Sequence, residues 1–304
     1  MNLTLRQLRA FAAVADAHSF TEAAAQLHLT QSALSVLVRE LERDLGVRVL
    51  DRTTRRVSLT EAGRDFYPSV QRILNDLGNA VTSVADLRDK KKGILRLAAP
   101  QLMACTLIPQ VIAAYRERFP NVEVRVTDTL PEHLMAGLVT GEVELAIGPD
   151  QQPADSAVEV ESKTLFRDRH WLICRPDHAL ARRKKVCWDE LSPYPFIAPT
   201  QDFMRRLRAE SHADLQGVLP FPVQAVSYMT TALGMVAAGL GLTVCPTYAA
   251  SLVKGYGLQT VPLEQPQFFR EVCVYSPANR ALSPVANSFI GFIVQYAQNR
   301  EHSA

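Results

Sequence analysis

Polar side chains spaced along one predicted helix face occur between residues 30 and 39. The amide of Gln31 carries the donor and acceptor that can bind adenine in the major groove, and Ser32 and Ser35 can bond a base or a phosphate. Ala33 and Val36 could meet a thymine methyl group. The alternative is that Gln31 and Ser32 only cap a helix. The candidate set for contact with double-stranded DNA is Thr30, Gln31, Ser32, Ser35, Val36 and Arg39.

Arginines follow at the tip of a predicted hairpin. Two short runs, residues 47–50 and 56–59, are typical of strands and are separated by a basic loop. Arg52, Arg55 and Arg56 would then be placed to reach phosphates or the minor groove. An isolated basic loop is usually only a solvated surface. Directly after two helices whose residues could contact DNA, it indicates a loop that holds the DNA backbone.

Short helices and a tight turn must position these side chains. Apolar residues at helical spacing predict a first helix over about 5–15. Ser19 and Glu22 have the spacing of a capping box at the start of a second helix. Thr30 is a good N-cap for a third helix, and Gly46 ends it. This pattern predicts a helix-turn-helix whose second helix presents its N-terminal residues to base edges.

A heptad pattern then runs through residues 61–89 and predicts a long helix that pairs with a second copy. An intrachain partner would give the same pattern, but no neighbouring segment offers a second heptad helix. Pro68 should bend the helix locally. Two paired heads would read an inverted repeat. The predicted seam consists of Phe66, Val70, Ile73, Leu77, Ala80, Val84 and Leu87.

The order of strands and helices after residue 94 predicts an α/β body. Strand, helix, strand, helix and strand alternate up to residue 148, which favours a parallel sheet, and a second set begins at residue 165. Two such lobes suggest a cleft between them. Ligands of open α/β sheets lie beyond the carboxyl ends of the strands, near helix N-termini.

Several short strings in the first 63 residues together resemble the N-terminal signature of the LysR-type transcriptional regulators. In chain order they are LRAF (8–11), SFTEAA (19–24), TQSALS (30–35), LE (41–42), LG (45–46), RTTR (52–55) and LTEAG (59–63). Weaker similarity continues through 141–147 and 236–241. One departure lies in the wing, where Val49 and Leu50 replace the usual Leu-Phe, so we expect slightly different packing there.

The resemblance implies a winged helix-turn-helix, a dimerising helix, a hinge and an effector domain like a periplasmic binding protein. It places lobe I at about 94–164 and 268–304 and lobe II at about 165–267. It also implies a dimer or tetramer on promoter DNA, contact with RNA polymerase, and activation or repression controlled by a small-molecule effector. A small carboxylic or aromatic acid is the class we expect. The implied segments are the winged helix-turn-helix at 1–60, the dimerising helix at 61–89, the hinge at 90–93 and the effector domain at 94–304.

The effector residues are less directly indicated. A hydroxyl residue often contacts the effector of family members after the first strand of the body, but Leu102 stands there. Gln101, Thr127 or Thr129 could supply the polar contact instead. Each polar candidate also suits an N-cap or turn, and Arg205 and Arg206 could reach an anion. The second-lobe candidates are Thr200, Gln201, Phe203, Ser227, Met229 and Thr230.

Composition and missing motifs argue against other classes. The 304 residues are 47% hydrophobic and 21% charged, with no apolar run of the ~20 residues that a bilayer requires. We find no secretory signal in the sequence, and we expect a cytoplasmic protein that has no membrane partner. The net charge of +2 is too small to indicate nucleic-acid binding by itself. A solute-binding protein would lack the N-terminal helix-turn-helix, which argues against that class. A purely architectural DNA-binding protein would not need two α/β lobes.

Catalysis, cofactors and metals are not predicted. The sequence contains no G-x-S-x-G, P-loop, G-x-G-x-x-G or HExxH motif, and its 7 histidines are dispersed. The 5 cysteines are scattered and predict buried, reduced thiols. A redox switch is the alternative, because Lys184 and Lys185 beside Cys187 could favour a thiolate.

Overall fold

The computed structural model divides the chain into two compact units. The first consists of Met1–Gly93 with Ala136–Glu144, and the second of Ile94–Met135 with Leu145–Ala304. The structure describes residues 3–53, 56–86, 93–150, 159–199, 203, 222–265 and 267–301.

Three helices, a hairpin and a long helix make up most of the first unit, as the sequence predicts. Thr30 Oγ1 accepts a hydrogen bond from the amide of Ala33 at 3.2 Å, and Gly46 ends its helix at φ 72°. Ser19 Oγ likewise caps the preceding helix. The elements are α1 (Leu5–Ala17), α2 (Phe20–Gln26), α3 (Gln31–Leu45), β1 (Leu50–Thr53), β2 (Arg56–Leu59) and α4 (Glu61–Asp86).

The core of this head includes the start of α4. Phe11, Leu34 and Val70 are fully buried together. The ring of Phe66 lies 5.7 Å from that of Phe11. The N-terminal end of α4 therefore packs on α1 of its own chain, an intrachain neighbour that carries no heptad pattern of its own. The heptad spacing could not distinguish an intrachain neighbour from a second copy.

The wing begins later than predicted. Residues 47–49 precede β1, and Leu50 is the first residue paired with β2, opposite Leu59. The physical cause lies in α3, where Glu42 Oε1 accepts hydrogen bonds from the amides of Val49 and Leu50 at 3.1 and 3.2 Å. A side chain thus fixes the chain where the sequence suggested a strand.

Gly63, in the first turn of α4, permits a close approach to the chain before the wing. A Cβ on this residue would lie 2.0 Å from the carbonyl oxygen of Val49, a backbone atom. We expect Gly63→Ala to destabilise the head by about 1–3 kcal/mol, as overpacking does. Gly78→Ala in the same helix is the matched control, since its Cβ would meet nothing within 4 Å. Thermal unfolding of both variants tests this, and equal stabilities would contradict it.

The second unit is built on a mixed sheet. The described strands follow the order β4-β3-β5-β12-β6-β11-β7, and β10 also pairs with β6. β3 and β5 are parallel as predicted, but β12 runs antiparallel to β5 and to β6. The strands are β3 (Gly93–Pro100), β4 (Val122–Thr129), β5 (Leu145–Pro149), β6 (Val160–Cys174), β7 (Val186–Cys187), β8 (Phe196–Ala198), β9 (Pro222–Ala225), β10 (Thr243–Pro246), β11 (Gln259–Glu264) and β12 (Phe269–Pro277).

The body contains two short helices that the sequence analysis did not predict. One, Gln101–Thr106, lies directly after β3, and the other, Ala250–Gly255, follows β10. The last helix packs on the core beside β3 and β5, so the C-terminal segment does return to the first lobe. The helices are α5 (Gln101–Thr106), α6 (Ile108–Arg118), α7 (Ala136–Thr140, counted with the first unit), α8 (Met229–Ala237), α9 (Ala250–Gly255) and α10 (Pro284–Glu301).

Strand β6 connects the two lobes. Its residues 160–169 pair with β12, and its residues 170–174 pair with β10 and β11. The strand therefore runs across residue 164, where we expected lobe I to end. The ladder passes this position with a register shift at Leu165, and it makes β6 and the start of β12 the structural link between the lobes.

Burial separates the cysteines into groups. Cys174, Cys245 and Cys273 are buried, as predicted, and burial raises the pKa of Cys174 to about 11. The prediction is wrong for Cys105, which is exposed. Beside half-buried Cys187, Lys185 Nζ donates to Glu264 Oε2 at 2.8 Å, which neutralises part of the charge invoked for a thiolate.

The helices that the structure describes are too short or too polar to span a lipid bilayer. The same part of the chain holds no group of three or more His, Cys, Asp or Glu side chains that could bind a metal ion.

Candidate DNA-binding surface and ligand cleft

Helix α3 has two chemically different faces. Leu34, Val38 and Leu41 are fully buried against the rest of the head. The predicted contact residues lie on the other side: Gln31, Ser32, Val36 and Arg39 are exposed, and Ser35 is partly exposed. Val36 is 44% exposed on this face, so its methyl groups are accessible to a thymine methyl group.

The turn before α3 is held by backbone hydrogen bonds. The amide of Leu29 donates to Ala24 O at 2.9 Å, and His28 adopts a positive φ of 54°. Thr30 Oγ1 lies 3.1 Å from Ser32 Oγ in addition to capping the helix. Thr30 therefore caps this end of α3, whereas Gln31 and Ser32, for which the sequence left capping as the alternative, keep their side chains exposed.

The basic residues of the wing are only partly described. Arg52 and Arg56 lie on β1 and β2, but their side chains, like the whole of Arg55, are outside the described residues. An open groove between α3 and the wing carries two cations that the sequence analysis did not select. Arg43 and Arg48 line it together with the predicted Arg39 and with Glu42. The spacing of Arg39 and Arg43 by one helical turn was the available signal.

The second unit contains a cleft at the carboxyl ends of its strands. Pro100, Thr129 and Pro149, the last residues of β3, β4 and β5, line it from lobe I. Pro246 ends β10 and Pro199 follows β8 on the other side. The cavity has a volume of about 100 Å³. It lies where an α/β sheet is expected to bind its ligand.

Most of the described effector candidates line this cavity. They are Gln101, Leu102, Thr129, Phe203, Ser227 and Met229. Thr127 does not line it, because it lies exposed on β4, two residues before the strand end. Thr230 does not line it either, because it follows Met229, the last residue of this helix start that lines the cavity. Thr200, Gln201, Arg205 and Arg206 are outside the described residues.

Two basic side chains in the cleft were missed by the sequence analysis. His170 comes from β6 and Arg270 from β12, the two strands that link the lobes. Burial and the neighbouring Arg270 charge lower the pKa of His170 to about 3, so its imidazole is neutral at physiological pH. Its Nδ1 is buried with no hydrogen-bond partner among the described residues. The ring of Phe203 packs edge-on against it at 5.3 Å.

Behind these residues a carboxylate on β6 holds the residue that follows β10. The Oδ2 atom of buried Asp168 accepts a hydrogen bond from the amide of Thr247 at 3.2 Å, and its Oδ1 accepts one from the Thr247 hydroxyl. The next residue, Tyr248, lines the cleft. Burial, with Asp168 nearby, raises the pKa of Tyr248, so the phenol stays protonated and can donate.

Family models match both parts of the chain. One described as "Bacterial regulatory helix-turn-helix protein, lysR family" matches residues 5–64. One described as "LysR substrate binding domain" matches residues 88–298.

Relatives match over nearly the full length. The HTH-type transcriptional regulator YfeR of Shigella flexneri is 32% identical over 290 residues, covering 95% of this chain and 92% of YfeR. The transcriptional dual regulator GltC of Bacillus subtilis is 29% identical and covers 98% and 99% of the two chains.

Solved structures share the fold at lower identity. Full-length CbnR in complex with its target DNA has a TM-score of 0.73 at 19% identity, covering 97% of this chain and 100% of CbnR. A variant of full-length OxyR from Pseudomonas aeruginosa has a TM-score of 0.71 at 23% identity, covering 98% and 95%.

Proposed function

Because this chain belongs to the LysR family, we propose that its heads read an inverted repeat in promoter DNA under control of a small carboxylate in the cleft. Membership makes it a DNA-binding transcriptional regulator with an effector-binding domain, and not an enzyme. The observation that carries the effector half is that the cleft holds both the Arg270 side chain and the neutral imidazole of His170, whose Nδ1 has no hydrogen-bond partner within the described part of the chain.

The exposed face of α3 would enter the major groove. Gln31, Ser32 and Val36 are the base contacts in this proposal, with Thr30, Ser35 and Arg39 beside them. Arg52, Arg55 and Arg56 would clamp the adjacent backbone, and Arg43 and Arg48 join them as phosphate contacts. Support comes from the separation of buried and exposed faces in α3 and from a structural relative, CbnR, seen on its target DNA.

Two heads would be paired through the middle of α4. Val70 is buried inside its own head, and Phe66 packs on Phe11, so neither is free to form a seam. Among the described side chains, the residues proposed to contact the partner helix are therefore Ile73, Leu77 and Ala80. Val84 and Leu87, whose side chains are outside the described part of the structure, stay candidates from the sequence alone. Ile73 is 44% exposed, which leaves apolar area for a partner helix. A dimer or tetramer of this kind would act on RNA polymerase in the cytoplasm.

A carboxylate suits the cleft for electrostatic reasons. The Arg270 guanidinium supplies a positive charge and bidentate donors. The N-terminus of α8 has no side-chain cap, and Ser227, Tyr228 and Met229 at this end line the cavity. Helix N-termini favour anions. The apolar prolines around them exclude water, which strengthens both interactions.

Ligand control would act through the strands that link the lobes. His170 and Arg270 belong to β6 and β12, so a ligand that bonds to both residues favours one relative arrangement of these strands. A ligand shifts a conformational equilibrium only by its difference in affinity for the two states. The effector therefore has to bind one lobe arrangement better, and that arrangement has to set the geometry of the paired heads.

Small mono- and dicarboxylates, screened by thermal shift, test the effector proposal. A binder at a hundredfold excess over its Kd should stabilise the effector domain by about 2.7 kcal/mol. Arg270→Gln should remove that stabilisation, and Arg167→Gln, an arginine outside the cleft, should keep it. Loss in both variants, or retention in Arg270→Gln, would contradict the assignment of Arg270.

A further inference from the structure

The entry to the wing, just before β1, is bound by two different helices. On one side, the amides of Val49 and Leu50 donate to Glu42 Oε1 of α3 at 3.1 and 3.2 Å. On the other side, the hydroxyl of Thr60 donates to Arg48 O at 2.8 Å, and its amide donates to Val49 O at 3.2 Å. Thr60 directly precedes α4. Four backbone groups at the entry to the wing are therefore bonded either to the recognition helix or to the start of α4.

Burial makes the contact from α3 hard to replace. Val49 and Leu50 are each 1% exposed, so water does not readily take the place of the Glu42 carboxylate as the acceptor of their amides. Hydrogen bonds to a charged acceptor are also the stronger kind. Strand β1 begins at Leu50, which pairs with Leu59 of β2. Glu42 therefore bonds the hairpin directly to α3 at the first residue of its ladder.

The charge of Glu42 opposes the chemistry of the surface that carries it. Arg39, Arg43 and Arg48 line the groove between α3 and the wing, and arginines suit phosphates. Among the described residues of this lining, Glu42 is the one carboxylate, and a carboxylate repels phosphates. Its charge therefore works against DNA binding. Any favourable contribution of Glu42 has to come from the hydrogen bonds that it makes inside the head.

We propose that Glu42 is a positioning residue for DNA recognition, which holds the wing where α3 and the wing contact the same DNA together. The inference rests on the proposed function, in which α3 reads bases and the wing binds the adjacent backbone. Loss of the Glu42 acceptor removes backbone contacts of the wing. Base reading by Gln31 stays in place, because Gln31 lies about three turns away at the other end of α3.

Salt titrations of the full-length protein on specific and random duplexes test this role. Glu42→Ala should lower the slope of log K against log salt by about one to two and weaken binding to both duplexes about tenfold. Glu42→Gln keeps an acceptor oxygen without the charge, so it should keep the slope and not lower the affinity. Glu40→Ala is the matched control, since Glu40 is a glutamate of α3 outside the groove lining, and it should keep the slope.

The variants separate positioning from charge and from folding. An unchanged slope in Glu42→Ala would overturn the proposal, and so would an equal loss of slope in Glu42→Gln, because the charge would then be the cause. If Glu42→Ala fails to fold, Glu42→Asp decides the matter. Its shorter side chain keeps the charge but withdraws the acceptor from the two amides, so a lower slope supports the proposal and an unchanged slope overturns it.

Hydrogen exchange in the free protein separates this inference from the proposed function. The amides of Val49 and Leu50 should exchange about tenfold faster in Glu42→Ala than in the unmodified chain, and Glu42→Gln should restore most of the protection. Unchanged exchange in Glu42→Ala would overturn the inference even if the protein binds DNA. If instead the unmodified chain binds no duplex specifically, the proposed function fails, and the exchange of these amides still reports whether Glu42 holds the wing.

Discussion

Replacing Ile73 and Leu77 together by glutamate should convert the protein into a monomer and weaken binding to its operator by about a hundredfold or more. The substitutions put charges on the part of the α4 seam that the head does not bury, and linked heads gain about 10²–10⁴ in avidity that separate heads lose. Light scattering coupled to size exclusion measures the mass, and fluorescence anisotropy measures the DNA affinity.

A matched control is available on the same helix. Val81 is 63% exposed and lies outside the predicted seam, so Val81→Glu adds one of the two negative charges at a position that the seam does not include. It should leave both the mass and the affinity unchanged. If Val81→Glu made the protein a monomer while the Ile73/Leu77 double variant stayed a dimer, α4 would pair through another face. A monomeric unmodified protein would rule out the pairing altogether.

Replacing Gln31 and Arg55 by alanine should produce two different defects. Gln31→Ala removes a bidentate base contact and should cost about 1–3 kcal/mol at one base pair. Arg55→Ala removes a phosphate contact, so it should weaken binding to all sequences and lower the slope of log K against log salt by about one. Titrations on specific and random duplexes at several salt concentrations distinguish the two.

Gln26→Ala is a suitable control, since Gln26 is exposed at the end of α2, before the recognition helix. It should change neither specificity nor salt slope. If Gln31→Ala and Arg55→Ala each lower the affinity for specific and for random DNA to the same degree, the division between base and backbone contacts is wrong.

The helices of the head could be predicted because their signals are local. Thr30, Ser19 and Gly46 act within one turn of their own helix, and the buried face of α3 follows from periodicity alone. The wing start could not be predicted in this way. Glu42 holds the amides of Val49 and Leu50 from another element, and nothing in the spacing of residues 47–50 indicates that contact.

The cleft was only partly accessible to sequence reasoning. Gln101 and Thr129 follow from the rule that ligands lie at the ends of strands, and both line the cavity. His170 and Arg270 do not, because they lie within strands, and their meeting depends on the pairing of β6 with β12. The mixed order of the sheet had the same cause: the antiparallel return of β12 is a long-range contact without a local signature.

The most direct test of the account is a DNase I footprint on fragments that the protein selects from genomic DNA. The account predicts protection over an inverted repeat, with half-sites about one helical turn or a multiple apart. It also predicts that a carboxylate found in the thermal-shift screen changes the footprint, the affinity or the bend of the complex. Protection of a single half-site without symmetry would contradict the paired heads. No specific protection at low salt, with or without such ligands, would contradict the central claim that α3 reads DNA.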